Sequence, residues 1–233
     1  MKVAICFYGQ PRFYKQVLPI WDKVISELEA DVFIHTWYGV ERTKEYVDVN
    51  ELIADFNPKE IQISNPHRFV DIIPKNSTYE NQSFHAMQQA YSLQTSVCIL
   101  EQYEIDLNQK YDIIIRCRMD IQLLDADRFI EFMKNMNPHE GNFYVCGKCW
   151  KGSSRFDDNI IVGNGGMIKD ISLMYFNYTI SCIHKTKIIP GGESNLFNYF
   201  NYRNMYDRVH KEDAVNFDLL YMTPGNFIMN QNE

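Results

Sequence analysis

In the first half of the chain, short apolar runs alternate with stretches of helical period, and no other feature limits the fold as strongly. Lys2 to Tyr8 is an apolar run suited to a strand buried on both faces. Gly9 to Arg12 punctuates it, and Phe13 to Glu29 then carries Val17, Ile20, Trp21, Val24, Ile25 and Leu28 at helical spacing. Asp31 to Thr36 reads as a second strand, Val49 to Phe56 as a short helix stopped by Asn57-Pro58, and Glu60 to Ser64 as a third strand. Asn65 to Thr78, with Pro66 and Pro74, is expected to be a loop. A long helix follows over Tyr79 to Leu107, and then the most apolar strand, Tyr111 to Cys117, which leads into Arg118-Met119-Asp120. Strands alternating with helices predict an α/β chain whose mostly parallel sheet is covered by helices on both faces.

The second half is less regular. Asp127 to Met136 fits a helix, Asn142 to Cys146 and Asn159 to Val162 fit strands, and Gly165-Gly166 opens a helix that runs to about Ile180. Pro190-Gly191-Gly192 introduces a helix over Glu193 to Asn204, and Val215 to Tyr221 is a final strand. With 233 residues and no repeat or linker, the expectation is a single domain over residues 1–225, with 226–233 as a frayed tail.

Composition removes several function classes. A formal charge of −7 gives no clustered basic footprint for nucleic acid. No run approaches the roughly 20 apolar residues of a membrane span, and the run after Met1-Lys2 is too short for an export signal. The six cysteines therefore read as reduced thiols and the expected location is cytoplasmic, in a microbe or a virus-infected cell. Phosphate-loop and dinucleotide glycine signatures are missing.

In an open α/β sheet, ligands bind beyond the carboxyl ends of the strands. Three such ends carry polar groups that a core would not choose: Gly9-Gln10-Pro11-Arg12, His35-Thr36-Trp37, and Arg116 to Asp120. Gly9 allows close backbone approach, and Gln10 and Arg12 supply an amide and a cation. Arg116 and Arg118 alternate with Cys117, so they share a face with Asp120. Asp120 can hold a divalent cation that neutralises a diphosphate, or it can simply close a salt bridge with one of the arginines.

Together these residues resemble a family of GT-A-type glycosyltransferases from bacterial polysaccharide clusters and large DNA viruses. The likeness runs through G-Q-x-R (Gly9, Gln10, Arg12), D-V-F-I-H-T-W (Asp31 to Trp37) and the long helix rich in Gln, Tyr and Ser (Ser83 to Glu101). It continues with Y-D-I-I-I-R-C-R-M-D-I (Tyr111 to Ile121), F-D-D-N (Phe156 to Asn159) and G-E-S-N-L-F (Gly192 to Phe197), covering about residues 1–205. The resemblance implies a nucleoside-diphosphate-sugar donor over residues 1–125 and a glycan or other hydroxyl acceptor over residues 126–225. It implies donor contacts from Gly9, Gln10, Arg12, His35, Thr36, Trp37, Arg116, Arg118 and Asp120. Asp120 takes the place of the last carboxylate of the metal-binding D-x-D motif, where Mn2+ or Mg2+ would sit, but Arg118 stands at the first.

For acceptor activation, inverting transfer needs one carboxylate base. Asp157 and Asp158 in the acidic turn are candidates, with only one of the two reaching the site. Glu193, at a helix start, is the alternative. Trp37, Trp150 and Tyr175 are candidate stacking faces. Two readings from other classes stand beside the enzyme: a non-catalytic sugar-nucleotide or glycan-binding module, and a thiol oxidoreductase or zinc site using Cys146 and Cys149, with His139, Cys182 and His184 as the completing ligands.

Overall fold

Strand β1 (Val3–Tyr8) and the apolar strand β4 (Ile113–Arg118) lie side by side at the centre of a seven-stranded sheet. The structure is a computed structural model that describes residues 1–38, 48–66, 80–146, 159–186, 192–205, 208–211 and 220–221. Both central strands are buried along their length, as an apolar run without alternation requires when helices cover both faces. Helix α1 (Tyr14–Leu28) carries the chain back from β1 to β2 (Asp31–Trp37), and α2 (Val49–Phe56) leads to β3 (Glu60–Ser64). These strands pair in parallel, in the order β3-β2-β1-β4.

After the 28-residue helix α3 (Glu80–Leu107) and β4, the chain forms β5 (Ile121–Gln122), α4 (Ala126–Asn135), β6 (Phe143–Cys146) and β7 (Ile160–Asn164). Helices α5 (Gly165–Thr186) and α6 (Gly192–Tyr202) follow, then β8 (Val209–Lys211) and β9 (Leu220–Tyr221). The sheet continues β4-β7-β6-β8, with β7 antiparallel to both its neighbours and β8 parallel to β6. The fold is thus α/β, with a mostly parallel sheet and helices on both faces.

Of the expected final strand Val215 to Tyr221, only β9 falls within the described residues, and it pairs with β5 in a separate two-stranded sheet. The far edge of the main sheet is β8, a three-residue strand too short to show a period. The expected tail 226–233, and all but Asn65 and Pro66 of the expected loop Asn65 to Thr78, lie outside the described residues.

Alternation along β1 sorts the core. Val3, Ile5 and Phe7 meet α1, α2 and α4, where Trp21, Phe56 and Phe129 are buried. Ala4, Cys6 and Tyr8 meet α3, α5 and α6 on the other face. Helix α3 shows little amphipathic contrast because it is covered twice, by the sheet and by α5. Its inward stripe Gln88, Ser92, Thr95 and Ser96 is polar yet buried.

The join between β7 and α5 has no slack. Asn164 Oδ1 accepts the Gly166 amide at 2.9 Å and caps the helix. A Cβ on Gly165 would lie 2.2 Å from the Tyr111 carbonyl oxygen, backbone that cannot swing aside. Gly165→Ala is therefore expected to destabilise the fold by about 1–3 kcal/mol, read as a lowered denaturation midpoint at unchanged slope. Wild-type stability in that variant would contradict the close approach.

Candidate functional site

At the carboxyl end of the sheet, Tyr8 of β1 stands in register with His35 of β2 on one side and Arg118 of β4 on the other. The three polar strand ends picked out by sequence therefore come from adjacent strands. Over them, on the α3 face, lies a cavity of about 180 Å³. It is lined by Tyr8, Gly9, Gln10, Arg12, Trp37 and Arg118 from the strand ends, and by His85, Gln88 and Gln89 from α3.

The Gly9 corner is built for this position. Gly9 has φ +98°, a left-handed conformation that glycine adopts without steric cost. Its amide donates to Ser92 Oγ of α3 at 2.8 Å. The same hydroxyl lies 2.6 Å from His35 Nδ1, and His35 Nε2 lies 3.0 Å from Ser64 Oγ. This chain of contacts ties the end of β1 to α3, β2 and β3. Ser92→Ala would leave the half-buried Gly9 amide and one ring nitrogen of the buried His35 without that hydroxyl. A loss of about 1–3 kcal/mol is expected, measurable by chemical denaturation. Unchanged stability would show that the relay is not needed to hold the corner.

The relay also defines what His35 does. It is fully buried and both its ring nitrogens face serines, so it supports the Gly9 corner from beneath and does not line the cavity. Thr36 lies on the opposite face of β2, 1% exposed, its Oγ1 without a hydrogen bond among the described residues. Arg116 is likewise 1% exposed, and its Nη1 donates to Ser172 Oγ of α5 at 3.2 Å. One strand step of two residues separates it from Arg118 and places it under α5, away from the cavity.

Asp120 sits just past β4, 4% exposed, between two guanidinium groups. Arg118 donates from Nε to Oδ1 at 2.8 Å and from Nη2 to Oδ2 at 2.6 Å, a bidentate fork. Arg12 adds Nη2 to Oδ2 at 3.2 Å. Both Asp120 oxygens are thus taken by cations, and among the described residues no group of three His, Cys, Asp or Glu side chains could hold a metal ion. Among the described residues, the donor set around Asp120 does not fit Mn2+ or Mg2+, which seek several free oxygen ligands. Of the two sequence readings of Asp120, the geometry is that of the salt bridge, made with two arginines.

No family model matches this chain, nor does any curated protein. Solved structures similar to it include a glycosyltransferase involved in the glycosylation of the major capsid of PBCV-1, with 8% identity, a TM-score of 0.45, and coverage of 91% of this chain and 83% of that one. Mouse xyloside xylosyltransferase 1 is similar at 9% identity and a TM-score of 0.42, covering 91% of this chain and 85% of that one. The glycosyltransferase GlyE of Streptococcus pneumoniae TIGR4 is similar at 10% identity and a TM-score of 0.40, and this chain spans 45% of its length. Identities this low leave the cavity side chains to be judged by their own chemistry.

The remaining candidates fall elsewhere. Glu193 lies in the first turn of α6, but its side chain, like Asp157, Asp158, Trp150 and Cys149, is outside the described residues. Cys146 closes β6, its side chain also outside them. Tyr175 is a core residue, 3% exposed, its hydroxyl accepting from Asn195 of α6 at 3.1 Å. Trp37 does line the cavity, with its ring 5.0 Å from that of His35 and 5.7 Å from that of Tyr91. His85, Gln88 and Gln89 are the site residues that sequence reasoning missed. Gln88 Nε2 donates to the Pro66 carbonyl at 3.1 Å, which fixes its amide in place. The one available signal was the glutamine pair Gln88-Gln89 on a helix following three strand ends.

Proposed function

We propose that the chain is a glycosyltransferase that moves a sugar from a nucleoside-diphosphate-sugar donor to a hydroxyl of a glycan or similar acceptor. The observation that carries this reading is the cavity where β1, β2 and β4 end. Two guanidinium groups, a left-handed glycine corner, the Gln10 amide and the Trp37 ring converge there on a space suited to a phosphorylated, partly aromatic ligand. The resemblance carried by Gly9-Gln10-Pro11-Arg12, Asp31 to Trp37 and Tyr111 to Ile121 points the same way.

Gly9, Gln10, Arg12, Trp37 and Arg118 would contact the donor directly, with His85, Gln88 and Gln89 facing it from α3. His35, Thr36 and Arg116 would support that wall from within the core. The donor would occupy residues 1–125 and the acceptor residues 126–225. There, Asp158 or Glu193 would take the proton from the acceptor hydroxyl as the sugar leaves the diphosphate. The work would be polysaccharide assembly in a cytoplasm. No helix among the described residues is long and apolar enough to cross a membrane.

A second reading, a binding module without catalysis, is favoured by the Asp120 carboxylate being wholly engaged by arginines. A thermal-shift screen of nucleoside diphosphates and their sugars finds the donor. A ligand at about 100 times its dissociation constant adds roughly 2.7 kcal/mol of stability. Release of free sugar or transfer from the stabilising donor supports the enzyme, stabilisation without turnover supports the module, and no stabilisation by any nucleotide defeats both.

A further inference from the structure

We infer that the groove between α5 and α6 is a second carbohydrate site, which holds the chain of the acceptor glycan while its end reacts at the donor cavity. The inference rests on the transferase reading above and deepens it at one point, the acceptor.

The groove follows from the period of α5. Ile168, Ile171 and Tyr175 turn one face of the helix into the core. Met174, Asn177, Tyr178, Ser181, Cys182 and Lys185 recur at helical spacing along another face and line a cavity of about 490 Å³. Tyr199, Tyr202 and Arg203 join the lining from the end of α6. That volume lies within the roughly 300–1,000 Å³ of small-molecule sites.

The lining offers both chemistries that a sugar ring presents, an apolar C–H face and a rim of hydroxyls. The Tyr178 ring lies 5.1 Å from that of Tyr199 and 5.3 Å from that of Tyr202, a run of three aromatic side chains. Tyr202 is 71% exposed and Met174 49%, so apolar surface is displayed here to solvent. The exposed Asn177 amide, Ser181 hydroxyl and Lys185 ammonium lie on the same stripe. Ser181 donates its proton to the Asn177 carbonyl at 2.9 Å and meets a sugar as an acceptor. Arg203 donates from Nη2 to both Asp170 carboxylate oxygens, at 3.0 and 2.8 Å, and from Nη1 to the Tyr199 hydroxyl at 3.0 Å. The Tyr199 wall is thus fixed before a ligand arrives, which lowers the ordering cost of binding. An alkyl chain seated here would strip water from the amide, the hydroxyl and the ammonium without replacing its hydrogen bonds.

Position ties the groove to the donor cavity. Strand β7 ends opposite Ile113, at the amino edge of the parallel strands, so α5 starts at that edge. By Ile183 the helix has reached the apolar cluster that contains Trp37, a wall of the donor cavity. The stripe from Met174 to Lys185 therefore climbs about 16 Å along the helix axis toward the cavity end of the sheet. A sugar chain laid along it would point one end at the donor.

The test is calorimetric titration of the full chain with hexasaccharides of glucose, mannose, xylose and N-acetylglucosamine, with the methyl glycosides of the same sugars, and with dodecanoate. One hexasaccharide should bind about tenfold or more tighter than its methyl glycoside, because more ring face leaves water. Tyr202→Ala should weaken that hexasaccharide about tenfold by removing an exposed aromatic anchor, while Tyr202→Trp keeps it. Asn177→Ala should weaken it about threefold, the loss of one hydrogen bond. Hexasaccharide binding that Tyr202→Ala and Asn177→Ala both leave intact overturns the groove, as does dodecanoate binding more tightly than every hexasaccharide. If a nucleotide sugar stabilises the chain and no hexasaccharide binds, the groove fails and the donor reading stands. If a hexasaccharide binds through Tyr202 and no nucleotide stabilises the chain, the groove stands and the donor reading fails.

Discussion

Asp120→Ala is expected to lower sugar transfer by about 10²–10³-fold while the chain stays folded, comparable to removing one preorganised electrostatic group from an active site. Two effects oppose each other in this variant. Removing the carboxylate raises the net charge of the cavity by one, which favours anions in general. It also removes the Arg118 fork and the Arg12 contact with Asp120, which would orient the guanidinium groups toward a leaving diphosphate under the proposed function. Orientation should dominate turnover, and charge should show only as weaker loss in binding. Because both arginines are partly solvated, the stability cost is modest, roughly 1–2 kcal/mol or about 2–8 °C in melting temperature. Initial rates with the best donor, measured beside a melting curve, check both halves. Wild-type turnover in Asp120→Ala would remove this strand end from the mechanism.

Asp158→Asn is expected to reduce turnover by about 10²–10⁴-fold with donor affinity unchanged, the range that a positioned general base supplies. Asparagine keeps the shape and removes the proton acceptor, which makes it a sharper probe than alanine. In sequence, Asp157 and Asp158 closely precede β7 (Ile160–Asn164), and β7 is hydrogen-bonded to β4, whose end carries Arg118. Glu193→Gln, measured under the same conditions, is the control. A large loss there with little change in Asp158→Asn assigns the proton to Glu193, and small losses in both count against an inverting transfer.

The parallel half of the sheet was legible because each strand was an apolar run bounded by polar punctuation, and each connecting helix repeated at its own period. The expected helix Phe13 to Glu29 became α1 (Tyr14–Leu28), and Glu60 to Ser64 became β3 without change. The direction of β7 was not legible: the apolar run Ile160 to Val162 says that a strand is buried, not which way it runs. Nor was β5, because a two-residue strand has no period.

At the site, residue type located the right strand ends but could not sort one face from the other. His35 looks like a ligand-binding histidine until Ser64, distant in sequence, is seen to face its ring. Gln88 and Gln89 were hidden because a helix covered on two sides loses the polar-out, apolar-in contrast that would single out a wall residue.

The placement of β1 between β2 and β4 has a consequence for how the protein comes into being. Arg12 follows β1, but Arg118 belongs to a strand that pairs with β1 at a sequence separation of 110, as Val3 aligns with Ile113. Closing so long a loop is entropically slow, and β1, β2 and β3 can associate well before it happens. On the ribosome, roughly half the chain must emerge before β4 can dock, and until then the inner edge of β1 stays unpaired. The cavity end of the sheet is therefore completed by the last step in building the parallel core. A nascent chain caught before that step has the sheet's first three strands and Arg12, but Arg118 and Asp120 have not yet come to meet it.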